Sequence, residues 1–172
     1  MNTPTTAALF IFALIVAAAI LSGYRRSSAA SAPWPFYLKR LLTQPEQVLY
    51  HRLVKALPNH IVLAQVQVSR VLGVKKGSRF HDWNNRINRL SYDFVICDKA
   101  AAVIAAIELD DKSHENERRR ATDAKKSKAT LDAGLTLVRW QVKSLPDEAM
   151  IQREIIQKDA ALAALPSIRA ER

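Results

Sequence analysis

Two apolar segments of strand length stand close together in this chain, and each carries carboxylates. They run from Tyr92 to Cys97 and from Ala102 to Leu109, with four residues between them. A gap this short is typical of an antiparallel β-hairpin. A charged group in an apolar strand is costly unless it is paired or bound to a cation. The pattern therefore predicts a buried hairpin that carries a polar site.

The register of this hairpin decides whether the carboxylates meet. If the four-residue gap is the whole turn, Cys97 faces Ala102. Side chains alternate between the faces of a sheet, and facing residues share a face. Counting back from that pair predicts Asp93, Glu108 and Asp110 on one face. A slip of one residue separates Asp93 from the other two, whereas a slip of two keeps them together.

Three carboxylates on one face repel each other unless a cation neutralises them. Oxygen ligands of this kind suit Mg²⁺ or Mn²⁺. Such an ion polarises a phosphodiester and lowers the pKa of a bound water. Asp93, Glu108 and Asp110 are therefore predicted as the ligands of a hydrolytic metal site.

The surrounding elements predict an α/β layered fold, with a mixed sheet flanked by helices. Thr43 suits the N-cap of the first helix of the domain, Pro45 its first turn and Glu46 the capping-box position. Further predicted elements are a strand over 61–68, a polar loop over 75–89, a helix over 115–133, a strand over 135–140 and a helix over 146–165. The predicted divisions are a domain at 43–145 and a C-terminal helix and tail at 146–172.

The charge of the chain favours an anionic partner. The 172 residues carry a formal charge of +10, as is common in proteins that bind nucleic acid. Six basic residues of the polar loop and the following helix are predicted to contact nucleic acid: Lys75, Lys76, Arg79, Arg86, Arg89 and Arg119. A solvated basic surface is the simpler alternative. The single cysteine excludes an internal disulfide framework.

The N-terminus predicts a membrane anchor. Residues 7–21 are an unbroken apolar run, with no Lys or Arg before it and with Arg25 and Arg26 after it. The run predicts one transmembrane helix within residues 1–26, in the inner membrane, with the rest of the chain in the cytoplasm. A signal peptide cleaved near Ala30 to Ala32 is the alternative. Residues 27–35 are small, polar and Pro-containing, which predicts a linker over 27–42.

The hairpin also resembles a known family. Asp-Phe-Val-Ile-Cys-Asp at 93–98 and Ala-Ile-Glu-Leu-Asp-Asp-Lys-Ser-His at 106–114 resemble the family called domain of unknown function 2726. That family is similar to the restriction-endonuclease-like, PD-(D/E)XK superfamily. The resemblance covers residues 40–141 and implies a mixed four-stranded core in the order αβββαβ. It implies a first-helix acid at Glu46, a first strand acid at Asp93 and a second acid at Glu108.

One position departs from the superfamily's pattern, which usually places Lys two residues after the second acid. Asp110 stands there in this chain. Two residues are alternative candidates for the catalytic role of the missing lysine. Lys126 shares a stripe of the next helix with Arg119, and His114 is a candidate general base or water-positioning residue.

Two functions from different classes follow from these residues. The first is a membrane-anchored, Mg²⁺- or Mn²⁺-dependent nuclease that hydrolyses phosphodiester bonds, with DNA as the expected substrate. The second is a non-catalytic module on the same fold that binds nucleic acid or a partner protein. Glu46 stays open between a purely capping role and a catalytic one.

Overall fold

The computed structural model describes residues 3–31, 33–111 and 117–163. It separates into two compact units, Met1–Lys39 and Arg40–Arg172. The first unit contains helix α1, Thr3–Ser31. The predicted transmembrane anchor is not found, because no helix in the described ranges is both long enough and apolar enough to cross a bilayer.

The second unit is a mixed α/β domain. Its sheet has the order β1-β2-β3-β4, with antiparallel β1–β2 and β2–β3 pairs and a parallel β3–β4 pair. The predicted four-stranded mixed sheet with flanking helices is confirmed. In chain order the elements are α2 (Gln44–Ala56), β1 (Ile61–Gln67), α3 (Val68–Val71), α4 (Phe80–Ile87), β2 (Ser91–Cys97), β3 (Val103–Asp110), α5 (Glu117–Asp132), β4 (Thr136–Gln141), a 3₁₀ turn (Val142–Ser144) and α6 (Glu148–Ala163).

Two apolar clusters cover the sheet. In one, Phe94 and Ile107 of the hairpin pack with Leu49 of α2 and Ile151 of α6. In the other, alternate residues of the hairpin pack with the α3–α4 segment and with the residue before β4. The members of this second cluster include Val95, Cys97, Ala106, Val68, Ile87 and Leu135. The central hairpin is therefore buried on both sides, and α6 belongs to the same core as α2.

The predicted polar loop at 75–89 is wrong in part, because helix α4 lies within it. Phe80, Trp83 and Ile87 recur at helical spacing, and Ile87 is buried in the second cluster. In the first turn, Arg79 forms an ion pair with Asp82 at 2.9 Å. The high charge of the segment hid this short amphipathic pattern.

The hairpin register differs from the predicted one by two residues over most of its length. The turn is one residue longer than predicted, since Cys97 pairs with Val103. A β-bulge at Ile104 then adds a second residue of shift, so that Phe94 pairs with Ile107. A shift of one would place the predicted acids on opposite faces, and the bulge prevents this by making the shift two.

Candidate active site on the central hairpin

Four polar residues lie in one row across the sheet, one on each strand: Gln65, Asp93, Glu108 and Arg139. Glu108 pairs directly with Arg139 across the parallel ladder. The two antiparallel registers place Asp93 level with Glu108 on one side and with Gln65 on the other. Residues opposite each other on neighbouring strands have their Cβ atoms about 5 Å apart, so the sheet itself brings the row together.

Glu108 is the only buried acid among the described residues. Its Oε2 accepts a hydrogen bond from Nζ of Lys126 on α5 at 2.5 Å, and the two side chains are 8% and 10% exposed. Lys126 also donates to the carbonyl oxygen of Ser91 at 3.1 Å. Among the described residues no group donates to Oε1 of Glu108, which leaves one buried oxygen available to a ligand.

The protonation of Glu108 is balanced near neutral pH. Burial raises the pKa of its carboxyl to about 7, against the lowering effects of Lys126 and Arg139 and with a further raising effect from Asp93. Loss of a hydrating shell disfavours the charged form, and the nearby ammonium only partly replaces that shell. Glu108 is therefore a group that exchanges a proton in the range where a cell operates.

Asp93 is held by the neighbouring strand. Its Oδ2 accepts a hydrogen bond from the backbone N–H of Leu109 at 2.7 Å. Burial raises the pKa of Asp93, the Leu109 N–H lowers it, and the charge of Glu46 raises it, with smaller effects from Lys126 and Asp110. These mutual effects indicate that acids from two strands and a helix share one electrostatic site.

Asp110 lies two residues after Glu108 on β3, and it is paired with Arg139. Nη1 of Arg139 donates to both carboxylate oxygens, at 2.9 and 3.2 Å, and Nη2 donates to Oγ of Ser127 on α5 at 2.8 Å. Sequence reasoning missed Arg139. Its one signal was an arginine inside the apolar strand segment Leu-Thr-Leu-Val-Arg-Trp.

Glu46 connects the cap of α2 to the row across the sheet. Its Oε2 accepts a hydrogen bond from the backbone N–H of Thr43 at 2.6 Å, and the predicted capping box is present. Its Oε1 accepts a hydrogen bond from Nε2 of Gln65 at 2.9 Å. Gln65 has a φ of 52°, a strained conformation for a residue with a side chain, of the kind found at functional sites. Glu46 thus caps a helix and contacts the site as well.

Protein cations neutralise two of the acids, a role that the sequence-based argument for a bridging metal gave to the ion. Glu108 is paired with Lys126 and Asp110 with Arg139. In the described part of the chain, no group of three or more acidic, histidine or cysteine side chains is arranged to hold a metal ion. The unpartnered Oε1 of Glu108 beside Asp93 is nevertheless a donor set that fits a small hard cation.

The other predicted residues are distributed as follows. Lys75 and Arg86 line a groove between α4 and α5. Lys76, Arg79 and Arg89 are exposed. Arg119 belongs to α5, and its side chain is not among the described ones. His114 lies outside the described residues.

These features define a mixed α/β domain whose central hairpin carries a buried glutamate, paired with a lysine of α5 and flanked by aspartates. The chain belongs to the family described as protein of unknown function (DUF2726), whose sequence profile matches residues 38–158. The predicted family is thereby confirmed. Comparison with curated proteins and comparison with solved structures each give no match.

Proposed function

We propose that this protein is a divalent-metal-dependent nuclease of the PD-(D/E)XK type, which hydrolyses phosphodiester bonds in nucleic acid. The contact between Lys126 and Glu108 carries the proposal. It supplies a lysine to the second acid of the motif from the following helix, where the usual lysine position holds Asp110. The order of strands and main helices, αβββαβ, is also the one that this superfamily is expected to have.

The proposed ion is Mg²⁺ or Mn²⁺, held by Asp93 and Glu108. The third predicted ligand, Asp110, is paired with Arg139 and is left out of this proposed ligand set. When bound, such an ion polarises the phosphodiester and lowers the pKa of a water. Lys126, fixed by Glu108 and the Ser91 carbonyl, orients the attacking water and stabilises negative charge that develops on the phosphate.

A pocket next to Asp110 offers space for a phosphate. This pocket of about 250 Å³ is lined by the carboxylates Asp110 and Asp111 and also by Lys143 and Ser144. A lysine ammonium and a hydroxyl donate hydrogen bonds to phosphate oxygens. The pocket thus supports the placement of a phosphodiester next to Asp110, where a bound divalent cation would offset the repulsion from the two carboxylates.

The decisive experiment is a cleavage assay with the purified full-length chain on single-stranded and double-stranded DNA and RNA. We expect cleavage with Mg²⁺ or Mn²⁺ and none with EDTA. Glu108→Gln removes the ligand charge and keeps the shape, and we expect it to slow cleavage by about 100-fold or more. Glu148→Gln, on an acid of α6 paired with Lys55, is the matched control and is expected to cleave normally.

Two results would overturn the nuclease proposal. One is no cleavage with either ion on any of the four substrates. The other is a Glu108→Gln variant that cleaves as fast as the wild type.

A non-catalytic binding module is the alternative function. The observation in its favour is that Lys126 and Arg139 already neutralise Glu108 and Asp110, so the fold does not depend on an ion. This alternative predicts salt-sensitive binding of nucleic acid that is unchanged in Glu108→Gln, together with no cleavage.

Attachment to the inner membrane, with the domain in the cytoplasm, stays a prediction from the N-terminal sequence.

The raised pKa of Glu108 predicts a pH dependence of metal binding. A carboxyl must lose its proton to ligate an ion, and the pKa of Glu108 is about 7. Mn²⁺ affinity is therefore expected to weaken by up to about tenfold for each pH unit below 7, and to level off above it. Titration calorimetry between pH 5.5 and 8.5 (two values chosen to lie roughly 1.5 units on either side of that pKa) measures this. An affinity that does not change over the range would exclude Glu108 as a ligand.

A further inference from the structure

A groove of about 480 Å³, lined by apolar and basic residues, lies between α4, α5 and the segment that follows α3. Four of its lining residues are basic: Lys75, Arg86, Lys125 and Lys128. Asp132 is its one acidic lining residue, and it is already paired with Lys128 at 2.9 Å. The groove is therefore complementary to an anionic ligand.

An aromatic side chain stands among these cations. Trp83 of α4 lines the groove and is 51% exposed. The guanidinium carbon of Arg86 lies 4.4 Å from the centroid of the Trp83 ring. The pair combines a wide π surface with a planar cation, and both stack on nucleobases. The exposed half of the indole is available to a ligand that stacks on it.

We propose that this groove binds an unpaired nucleotide of single-stranded nucleic acid. The base stacks at Trp83 and Arg86, and the phosphates contact Lys75 and Lys125. In a duplex the base faces are covered by neighbouring bases, so only a single strand, or a base turned out of the stack, can use this surface. The inference deepens the proposed function, and it rests on that function for the class of ligand.

Helix α5 connects this groove to the acids. Lys126 turns toward Glu108, whereas Lys125 and Lys128 of the same turn line the groove. One helix thus presents lysines to both places. A strand bound in the groove lies on the helix that supplies the proposed catalytic lysine, and the groove would select unpaired strands for the site.

The test measures binding of the full-length chain to a labelled oligothymidylate and to a duplex by fluorescence anisotropy, with EDTA present to prevent cleavage. Trp83→Ala is expected to weaken single-strand binding roughly tenfold and to change duplex binding much less. Phe80→Ala is the matched control, because Phe80 is on the same helix, is 55% exposed and is not among the groove residues. It is expected to bind normally.

A second pair of variants separates the groove from general basic charge. Arg86→Ala is expected to weaken single-strand binding several-fold, because Arg86 lines the groove beside Trp83. Arg79→Ala removes an equal charge from the N-cap of the same helix, outside the groove, and is expected to have a smaller effect. Equal effects of the two variants, or unchanged binding by Trp83→Ala, would overturn the proposal.

Failure of this inference can be told apart from failure of the nuclease proposal. If Trp83→Ala loses binding while the wild type cleaves nothing, the groove assignment stands and the nuclease proposal falls. If the wild type cleaves and Trp83→Ala binds normally, the nuclease proposal stands and the groove assignment falls. If Trp83→Ala does not fold, Lys125→Glu takes its place, with Lys99→Glu in the exposed hairpin turn as its control. Equal single-strand binding by that pair would again overturn the inference.

Discussion

Replacement of Lys126 by Met is expected to lower the free energy of unfolding at pH 8 by about 3 kcal/mol. Met has nearly the same length, so the change removes the ammonium and leaves little cavity. The Glu108 carboxylate would then be buried without the donor that now lies 2.5 Å from its Oε2. Urea unfolding of the full-length chain measures the loss.

The loss should shrink as the pH falls to 5. Because burial raises the folded-state pKa of Glu108 to about 7, the folded state binds a proton more readily than the unfolded state. The contribution of Glu108 to the free energy of unfolding is then present at low pH and is lost as the pH rises through 7. Removing Lys126 raises this pKa further, so the Lys126→Met variant should lose more stability between pH 5 and pH 8 than the wild type does.

Two comparisons show whether burial and pairing cause this effect. Lys128→Met breaks an i,i+4 pair with Asp132 on the same helix, where the side chains are 77% and 64% exposed, and it should cost less than about 0.5 kcal/mol. The double variant Glu108→Gln with Lys126→Met should cost at least about 1 kcal/mol less than the sum of the single variants. A Lys126→Met cost no larger than that of Lys128→Met would contradict the buried ion pair.

Truncation of Phe94 to Ala is expected to destabilise the domain by about 4 kcal/mol. Phe94 is fully buried and stacks on Tyr50 of α2, with ring centroids 6.3 Å apart. It also directly follows Asp93, so its packing holds β2 where that acid meets the site. Chemical unfolding measures the effect.

The same substitution at Phe80 is the control for Phe94. Because Phe80 is 55% exposed, Phe80→Ala should change stability by less than about 0.5 kcal/mol. If Phe94→Ala leaves the chain unfolded, Phe94→Leu should give a measurable loss of about 1.5 kcal/mol. Equal stability of Phe94→Ala and Phe80→Ala would show that β2 is not held by this core.

Local patterns in the sequence were sufficient to predict the elements that position the site. Strand alternation located the hairpin, and the Thr43–Glu46 capping box located the start of α2, because both signals depend on residues close in the chain. Strand alternation also meant that the register of the hairpin alone decided whether Asp93 and Glu108 share a face of the sheet. The turn length itself was mispredicted by one residue, and the bulge at Ile104 compensated for that error.

By itself, then, the sequence determined the family, the mixed sheet with its helices, and the pair of strands that carries the acids. Only the tertiary structure decided which partners these acids have: Arg139 from a parallel strand, Gln65 from an edge strand, and Lys126 as the particular lysine of α5 that turns inward. The groove at Trp83 is also a product of helix packing. The physical reason is that helix caps and strand alternation are set by near neighbours, whereas strand register and helix docking depend on burying distant apolar surfaces together.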